Sequence, residues 1–249
     1  MIKFLKKLWM KEIPILMYHR LVDNDEGKGV HSIYYDVHSF EKQLQYLQKN
    51  GFTTITFREY KGLTDIQKKE KKYIILTFDD GYEDNYTLLF PLLQKYQMKA
   101  VIYLVSHLTC NQWDVEETNE KEFPLLKKEQ ILEMHASGLV EFGGHTMHHV
   151  KLHLLSPDEQ EKEIKGNKIF LEKLLGIELC SFAYPFGYLN QNAKNIVKKL
   201  GYDYAVATDS GPFYIQDDLY EIRRIGIFAK TNMAKFKRRI SGKHNLKKI

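Results

Sequence analysis

An α/β fold with a parallel sheet is the architecture this sequence predicts, and three observations predict it. Short runs of branched and aromatic residues alternate with stretches of helical period. The runs are nearly continuous in apolar residues, as strands covered on both faces are. No shift in composition marks a second domain along the 249 residues. Alternation of this kind requires parallel pairing through helical crossovers, hence an open sheet or a (β/α) barrel. In either arrangement, chemistry belongs in the loops beyond the C-terminal ends of the strands.

The strand candidates, in order, are 13–18 (IPILMY), 52–57 (FTTITF), 73–78 (YIILTF), 100–105 (AVIYLV), 140–142, 181–184 and 204–208. After the first of these, Phe40, Leu44 and Leu47 recur at helical spacing behind Ser39 as cap, and Gly51 stops the segment. Ser156-Pro157-Asp158-Glu159 has a cap, a first-turn proline and a glutamate three residues after the cap. The apolar series that follows, Ile164, Ile169, Leu171, Leu174 and Leu175, ends at Gly176, so a long helix is expected. Residues 86–96, 129–137 and 193–200 supply further helices, and Pro91 should kink the first of these or restart it.

Composition narrows the function. Hydrophobic residues make up 43% of the chain and aromatics 13%, which disordered segments avoid, so most of the chain folds. Cys110 and Cys180 stand far apart with no CxxC pairing and read as buried free thiols, not as a disulfide framework or zinc ribbon. No stretch approaches eighteen apolar residues. The net charge of +5 is uneven: residues 1–12 contribute +3 and residues 235–249 contribute +7, which leaves −5 for the body between them. A nucleic-acid face needs a basic excess on the folded body, so nucleic acid is not an expected partner. The chain therefore divides into a basic amphipathic segment 1–12, a body 13–230 and a basic tail 231–249.

Four strand ends carry candidate chemistry. Thr77-Phe78-Asp79-Asp80-Gly81-Tyr82 follows the apolar run YIIL, so adjacent carboxylates sit at a strand's C-terminal end with a glycine turn behind them. Two such carboxylates repel unless their roles differ, and binding one to a metal leaves its neighbour to take a proton. The plain alternative is a helix-capping Asp beside a turn Asp. Four histidines lie within nine residues, His145, His148, His149 and His153. His145 with His149, and His149 with His153, have the i, i+4 spacing that brings two imidazoles to one face of a helical turn and suits a shared ion. Spacing leaves both pairs open, although His145 is nearer the strand end. One carboxylate and two imidazoles leave coordination positions free, as in a catalytic site; non-haem iron oxygenases share the ligand set but usually place it on an all-β jelly roll, whereas this chain alternates strand and helix. His19 ends the first strand, and Phe182-Ala183-Tyr184-Pro185-Phe186-Gly187 closes another with a turn whose N–H groups face the mouth. Tyr18, Tyr184, Phe186 and Tyr188 offer apolar ring faces to a bound ligand or fill the core.

TFDDGY, HTMHH and FAYPFG in this order resemble the polysaccharide deacetylases of carbohydrate esterase family four, with nodulation-type chitooligosaccharide deacetylase homology. The opening LMYH resembles the variant with a catalytic histidine near the N-terminus, as in poly-N-acetylglucosamine deacetylases. The likeness spans residues 13–228 and implies a single-domain distorted (β/α) barrel of about seven parallel strands. It implies Asp79 as general base, with Asp80, His145 and His149 holding one divalent ion, Zn2+ first and Co2+ or Ni2+ as alternatives. The backbone N–H of Phe186 becomes the oxyanion donor, with Tyr184 and Gly187 beside it. The family's base-orienting Arg is missing from CSFAY, so Arg223 or Arg224 is expected to replace it. The family's Asp-Trp pair has no clear counterpart, since Trp113 precedes Asp114 upstream of HTMHH. The late Leu-x-His is absent too, which makes His19 the acid, while His153 stands as the fallback ligand.

The implied reaction is hydrolysis of the N-acetyl group of an amino sugar in a glycan. A glycan-binding or scaffold protein of the same fold, impaired by loss of the arginine, is the rival. The N-terminal segment reads as retained, not as a signal peptide, which places the chain in the cytoplasm. Ile2, Leu5 and Trp9 can share one face against Lys3, Lys6 and Lys7. With the basic C-terminus, that arrangement suits peripheral membrane contact.

Overall fold

A computed structural model describes residues 13–24, 27–212 and 215–241. Ten strands are present among them: β1 Ile15–Tyr18, β2 Arg20–Val22, β3 Tyr34–Asp36, β4 Phe52–Thr54, β5 Lys72–Phe78, β6 Ala100–Leu104, β7 Val140–Gly144, β8 Ser181–Ala183, β9 Tyr204–Val206 and β10 Ile225–Gly226. The main sheet runs β10-β1-β5-β6-β7-β8-β9, with β4 paired to β5 off this path, and β2-β3 form a separate pair. Every one of these pairings is parallel. The sheet curls into a distorted (β/α) barrel, and helices bury its outer face.

All seven expected strands form, but one stands elsewhere in the sheet. β4 pairs with the N-terminal half of β5 (Thr54↔Ile74), whereas β6 takes the same edge further along (Thr77↔Val101). The seventh strand of the curled path is instead β10, two residues long, which apolar patterning does not reveal. Residues leading into it close the seam: Ala207 N–H donates to Ile222 O at 2.9 Å and Arg224 N–H to Thr208 O at 2.8 Å, before Leu16↔Ile225 pairs β10 with β1.

Period-two alternation sorts side chains between two cores. Leu16, Phe78, Ile102, Phe142 and Phe182 face the helices, whereas Ile15, Ile75, Val101, Tyr103 and Ala183 fill the barrel. The helix Val37–Lys49 is capped not by Ser39 but by Asp36, whose side chain accepts from Ser39 N–H at 2.7 Å. Ser156 caps the helix Pro157–Leu175 in a full capping box, and Gly176 ends it in the left-handed region at φ 68°. Ahead of Pro91 the chain makes a π-turn, Asn85–Leu89, and the α-helix restarts at Phe90–Tyr96 because a proline cannot supply the missing N–H.

The basic C-terminal segment is part of the folded body as far as Ser241. The helix Met233–Ile240 buries Phe236 and Ile240, and Phe236 meets Tyr46 edge-on with ring centroids 6.1 Å apart. The expected amphipathic segment 1–12 and the last eight residues of the basic tail lie outside the described residues. No helix among the described residues is long and apolar enough to cross a membrane. Cys110 and Cys180 are free thiols, the second buried.

Candidate active site

β5 delivers both carboxylates to the C-terminal mouth of the barrel. Asp79 N–H still donates to Tyr18 O at 3.0 Å, so Asp79 continues the strand. Asp80 then turns into the left-handed region at φ 76° and Gly81 follows at φ 75°. This double turn points two consecutive side chains into one mouth. Among the described residues the non-glycine positive φ angles fall at Asp80, Gln97, Asn119, Thr146, His149 and Phe186. Gln97 and Asn119 end helices, and the other four surround this mouth, where strained backbone concentrates when geometry is held for function.

The histidine motif is not a helical turn. β7 ends at Gly144, and residues 145–150 form an irregular loop in which Thr146 (φ 65°) and His149 (φ 55°) are left-handed. Thr146 Oγ1 accepts from His149 N–H at 3.0 Å and folds the loop so that both rings point inward. The i, i+4 spacing thus meets one centre for a different reason from the one it suggests. His145 Nε2 lies 3.1 Å and His149 Nε2 3.2 Å from the same oxygen, Asp80 Oδ1. Asp80, His145 and His149 are all buried, and they form a group of donors able to hold one metal ion.

The protons decide whether an ion fits. His145 Nδ1 lies 2.7 Å from Ala183 O, a pure acceptor, so Nδ1 carries the hydrogen and the Nε2 lone pair faces Asp80. Two acceptors at 3.1 Å repel unless a proton or a metal cation lies between them. His149 is packed between Trp113 (ring centroids 4.2 Å apart) and Phe186 (4.5 Å). Its buried Nδ1 has no partner. Burial pushes the His149 imidazole below its ordinary range despite the Asp80 carboxylate, which favours the neutral, ligating form. For Asp80, burial alone would raise the carboxyl, but positive charge and hydrogen bonds from the facing His149 and His145 rings, in the place a metal cation would take, bring it well below the usual carboxylate range.

Asp79 sits beside this centre with a different partner. Arg224 grips it in a two-pronged pair, Nη1 to Oδ1 at 2.6 Å and Nη2 to Oδ2 at 2.7 Å. The guanidinium is itself pinned, with Nε donating to Ala207 O at 2.7 Å and Nη1 to Thr77 Oγ1 at 3.0 Å. Burial raises the Asp79 carboxyl, but the Arg224 charge and hydrogen bonds, then His19 and His145, bring it below its ordinary value. His19 Nε2 stands 3.9 Å from Asp79 Oδ2, at 15% exposure, and its Nδ1 has no partner.

Other expected positions fall differently. Arg223 turns the opposite way, as successive residues of an extended segment do, and its Nε donates to Gly211 O at 3.0 Å. His153 is exposed, its ring against Tyr188 (centroids 4.9 Å apart), and is not among the grouped donors. Tyr184 is core, not a sugar platform: it is fully buried, packs edge-on to Phe182, and its hydroxyl donates to Tyr220 O at 2.9 Å. Tyr18 is likewise buried, donating to Gln43 Oε1 at 2.7 Å. The turn Pro185–Gly187 places Phe186 at φ 59°, and Gly187 and Tyr188 N–H close it onto Tyr184 O and Pro185 O, leaving the Phe186 N–H outside the turn's own bonds. Phe186 and Tyr188 stack at 6.2 Å, with Tyr188 half exposed.

The Trp-Asp order hid two mouth residues. Trp113 walls His149, and burial together with the nearby Asp80 charge pushes the Asp114 carboxyl up to about 6, against the pull of His31. Thr77 and the Ala183 carbonyl also escaped prediction, because one acts through a hydroxyl inside a strand and the other through its main chain.

The sequence model of the polysaccharide deacetylase family matches residues 66–205, more than half of the chain. The chain belongs to the polysaccharide deacetylase family. This polysaccharide deacetylase is 29% identical over 225 residues to the YxkH protein of Bacillus subtilis, covering 88% of this chain and 74% of that one. It is 28% identical over 197 residues to a poly-beta-1,6-N-acetyl-D-glucosamine N-deacetylase of Staphylococcus epidermidis, covering 75% of this chain and 65% of the relative. Among solved structures, the Streptococcus pyogenes deacetylase PplD, in complex with acetate, superposes with a TM-score of 0.78 at 29% identity, covering 92% of this chain and 98% of that one.

Proposed function

We propose that this polysaccharide deacetylase removes N-acetyl groups from the amino sugars of a polysaccharide or glycan precursor. Asp79 is its general base, His19 its general acid, and Asp80, His145 and His149 hold one divalent ion. The observation that carries the reading is the pair of imidazole Nε2 atoms converging on one oxygen of Asp80, beside a second carboxylate reserved by Arg224. A donor set of two imidazoles and one carboxylate suits Zn2+, with Co2+ and Ni2+ as replacements. When bound, the ion supplies Lewis acidity towards a water and the acetamide oxygen.

The protein's own groups do the rest. Arg224 keeps Asp79 ionised and fixes its plane, yet each carboxylate oxygen retains a second lone pair to accept the proton of the attacking water. The Phe186 N–H meets the negative charge that develops on the acetyl oxygen, a contribution of about 3 kcal/mol for a single well-placed donor. His19, whose Nε2 lies 3.9 Å from Asp79 Oδ2, donates to the amine, which leaves poorly unless protonated. Trp113 and Phe186, packed on the His149 ring, exclude water around it. The fork of Arg224 on Asp79 supports an enzyme over a scaffold of the same fold, because it fills the role of the arginine absent from CSFAY.

The test is incubation of metal-loaded protein with N-acetylated oligosaccharides and lipid-linked amino sugars, with released acetate quantified. A poly-N-acetylglucosamine oligomer comes first, given the name of the Staphylococcus epidermidis relative. Asp79→Asn should keep the ion and lower turnover by at least about 10²-fold, and His145→Ala should lose the ion. A metal-loaded protein silent on the whole panel would overturn the reading.

A further inference from the structure

The histidine loop keeps two main-chain bonds, His145 N–H to Leu104 O at 3.1 Å and His107 N–H to Met147 O at 3.0 Å, but forms no continuous ladder, and two of its residues are left-handed. Its other main-chain groups need partners, and one face of the helix Pro157–Leu175 supplies several of them. Glu163 Oε2 accepts from Met147 N–H at 3.0 Å and from His148 N–H at 3.1 Å, while its Oε1 lies 2.8 Å from His148 Nδ1. One turn later, Asn167 Oδ1 accepts from His145 N–H at 3.1 Å, and its Nδ2 donates to Thr146 O at 2.7 Å and to Leu104 O at 2.9 Å. Four successive residues, 145 to 148, are thereby held through the main chain by two side chains at i, i+4 on one helix face.

The surroundings are shaped for this approach. Asn167 is fully buried with both ends of its amide engaged. A side chain at Gly144 would run into the Tyr202 hydroxyl and come within 2.7 Å of Asn167 Oδ1, and one at Gly166 would meet the sulfur of Met147. Burial of a fully satisfied amide fixes geometry more than it adds stability, because an ordinary apolar contact would need no such matching. Left-handed residues of this kind persist only where the surroundings over-determine them.

We propose that Glu163 and Asn167 are positioning residues of the metal centre: together they clamp the loop so that both imidazoles aim at Asp80 Oδ1. Neither touches the ion. The inference rests on the metal-site reading above, and Co2+ titration of the unaltered protein tests that reading separately.

The experiment compares Asn167→Ala, Glu163→Ala and Glu163→Gln in the full chain. Three quantities are read: Co2+ dissociation constant by chelator competition, the visible spectrum of the Co2+ form, and apo-protein melting. Asn167→Ala and Glu163→Ala should weaken Co2+ binding by about 10–100-fold and alter the spectrum, the usual consequence of removing a group that orients a ligand. Glu163→Gln keeps an acceptor for both N–H groups and should restore affinity and spectrum to near the unaltered values, even if its apo melting stays lowered. Unaltered affinity in Glu163→Ala, or a loss in Glu163→Gln as large as in Glu163→Ala, would overturn the clamp while leaving the metal site standing. If Asn167→Ala does not fold, the Glu163 pair decides alone. An unaltered protein that takes up no Co2+ would sink the underlying reading instead.

Discussion

A carboxylate as deeply buried as Asp79 stays ionised only with a cation against it, and Arg224 is that cation. The fork geometry matters as much as the charge, since a lysine offers a single point charge in place of two parallel donors. Arg224→Lys is therefore expected to lower kcat by about 10²-fold, the lower range for general acid–base catalysis. The metal dissociation constant should stay unchanged because Arg224 touches no ligand; equal kcat in steady-state assays would contradict this. The sequence narrowed this partner to Arg223 or Arg224 and could go no further. The choice depends on which way the chain faces where it crosses the seam between β9 and β10, and no periodic pattern spans so short a segment.

At the scale of elements, the strand ends were legible because buried parallel strands write themselves as apolar runs, and the chemistry follows each run at once: Asp79-Asp80 after β5, His145 after β7, Phe186 after β8. The loops were not. HTMHH carries helical spacing, yet Gly144 and the left-handed Thr146 and His149 make it irregular, and its partners come from a helix that begins eight residues downstream of His149. Glycines that admit neighbouring side chains are equally silent in sequence. Inside β7, a side chain at Gly143 would stand 2.5 Å from the Tyr103 ring and 2.7 Å from Ser181 O. Gly143→Ala should therefore destabilise the fold by about 1–3 kcal/mol, the ordinary cost of overpacking, as read by urea unfolding. A neutral effect would mean that β6 and β8 spread apart without cost.

For the whole molecule, the ion would couple the strands it joins. Asp80 leaves β5, and His145 and His149 follow β7, so an ion bound to all three ties two parts of the barrel that are sixty-five residues apart between Asp80 and His145. At a free Zn2+ concentration 100 times the dissociation constant, the folded state should gain about 2.7 kcal/mol. That gain appears as a higher Tm, lost again with a chelator; a Tm indifferent to saturating Zn2+ would refute coupling. The sequence by itself determined the α/β class, the parallel strands and the residue types at their ends, because burial on both faces and strand–loop–helix alternation are local patterns. Tertiary structure alone decided that Arg224 and not Arg223 meets Asp79, that β10 and not β4 completes the curled path, and that Tyr184 is core. The physical reason is common to all three: each depends on the direction a side chain or strand edge faces after the sheet has curled, and that direction is fixed by contacts between residues remote in the chain.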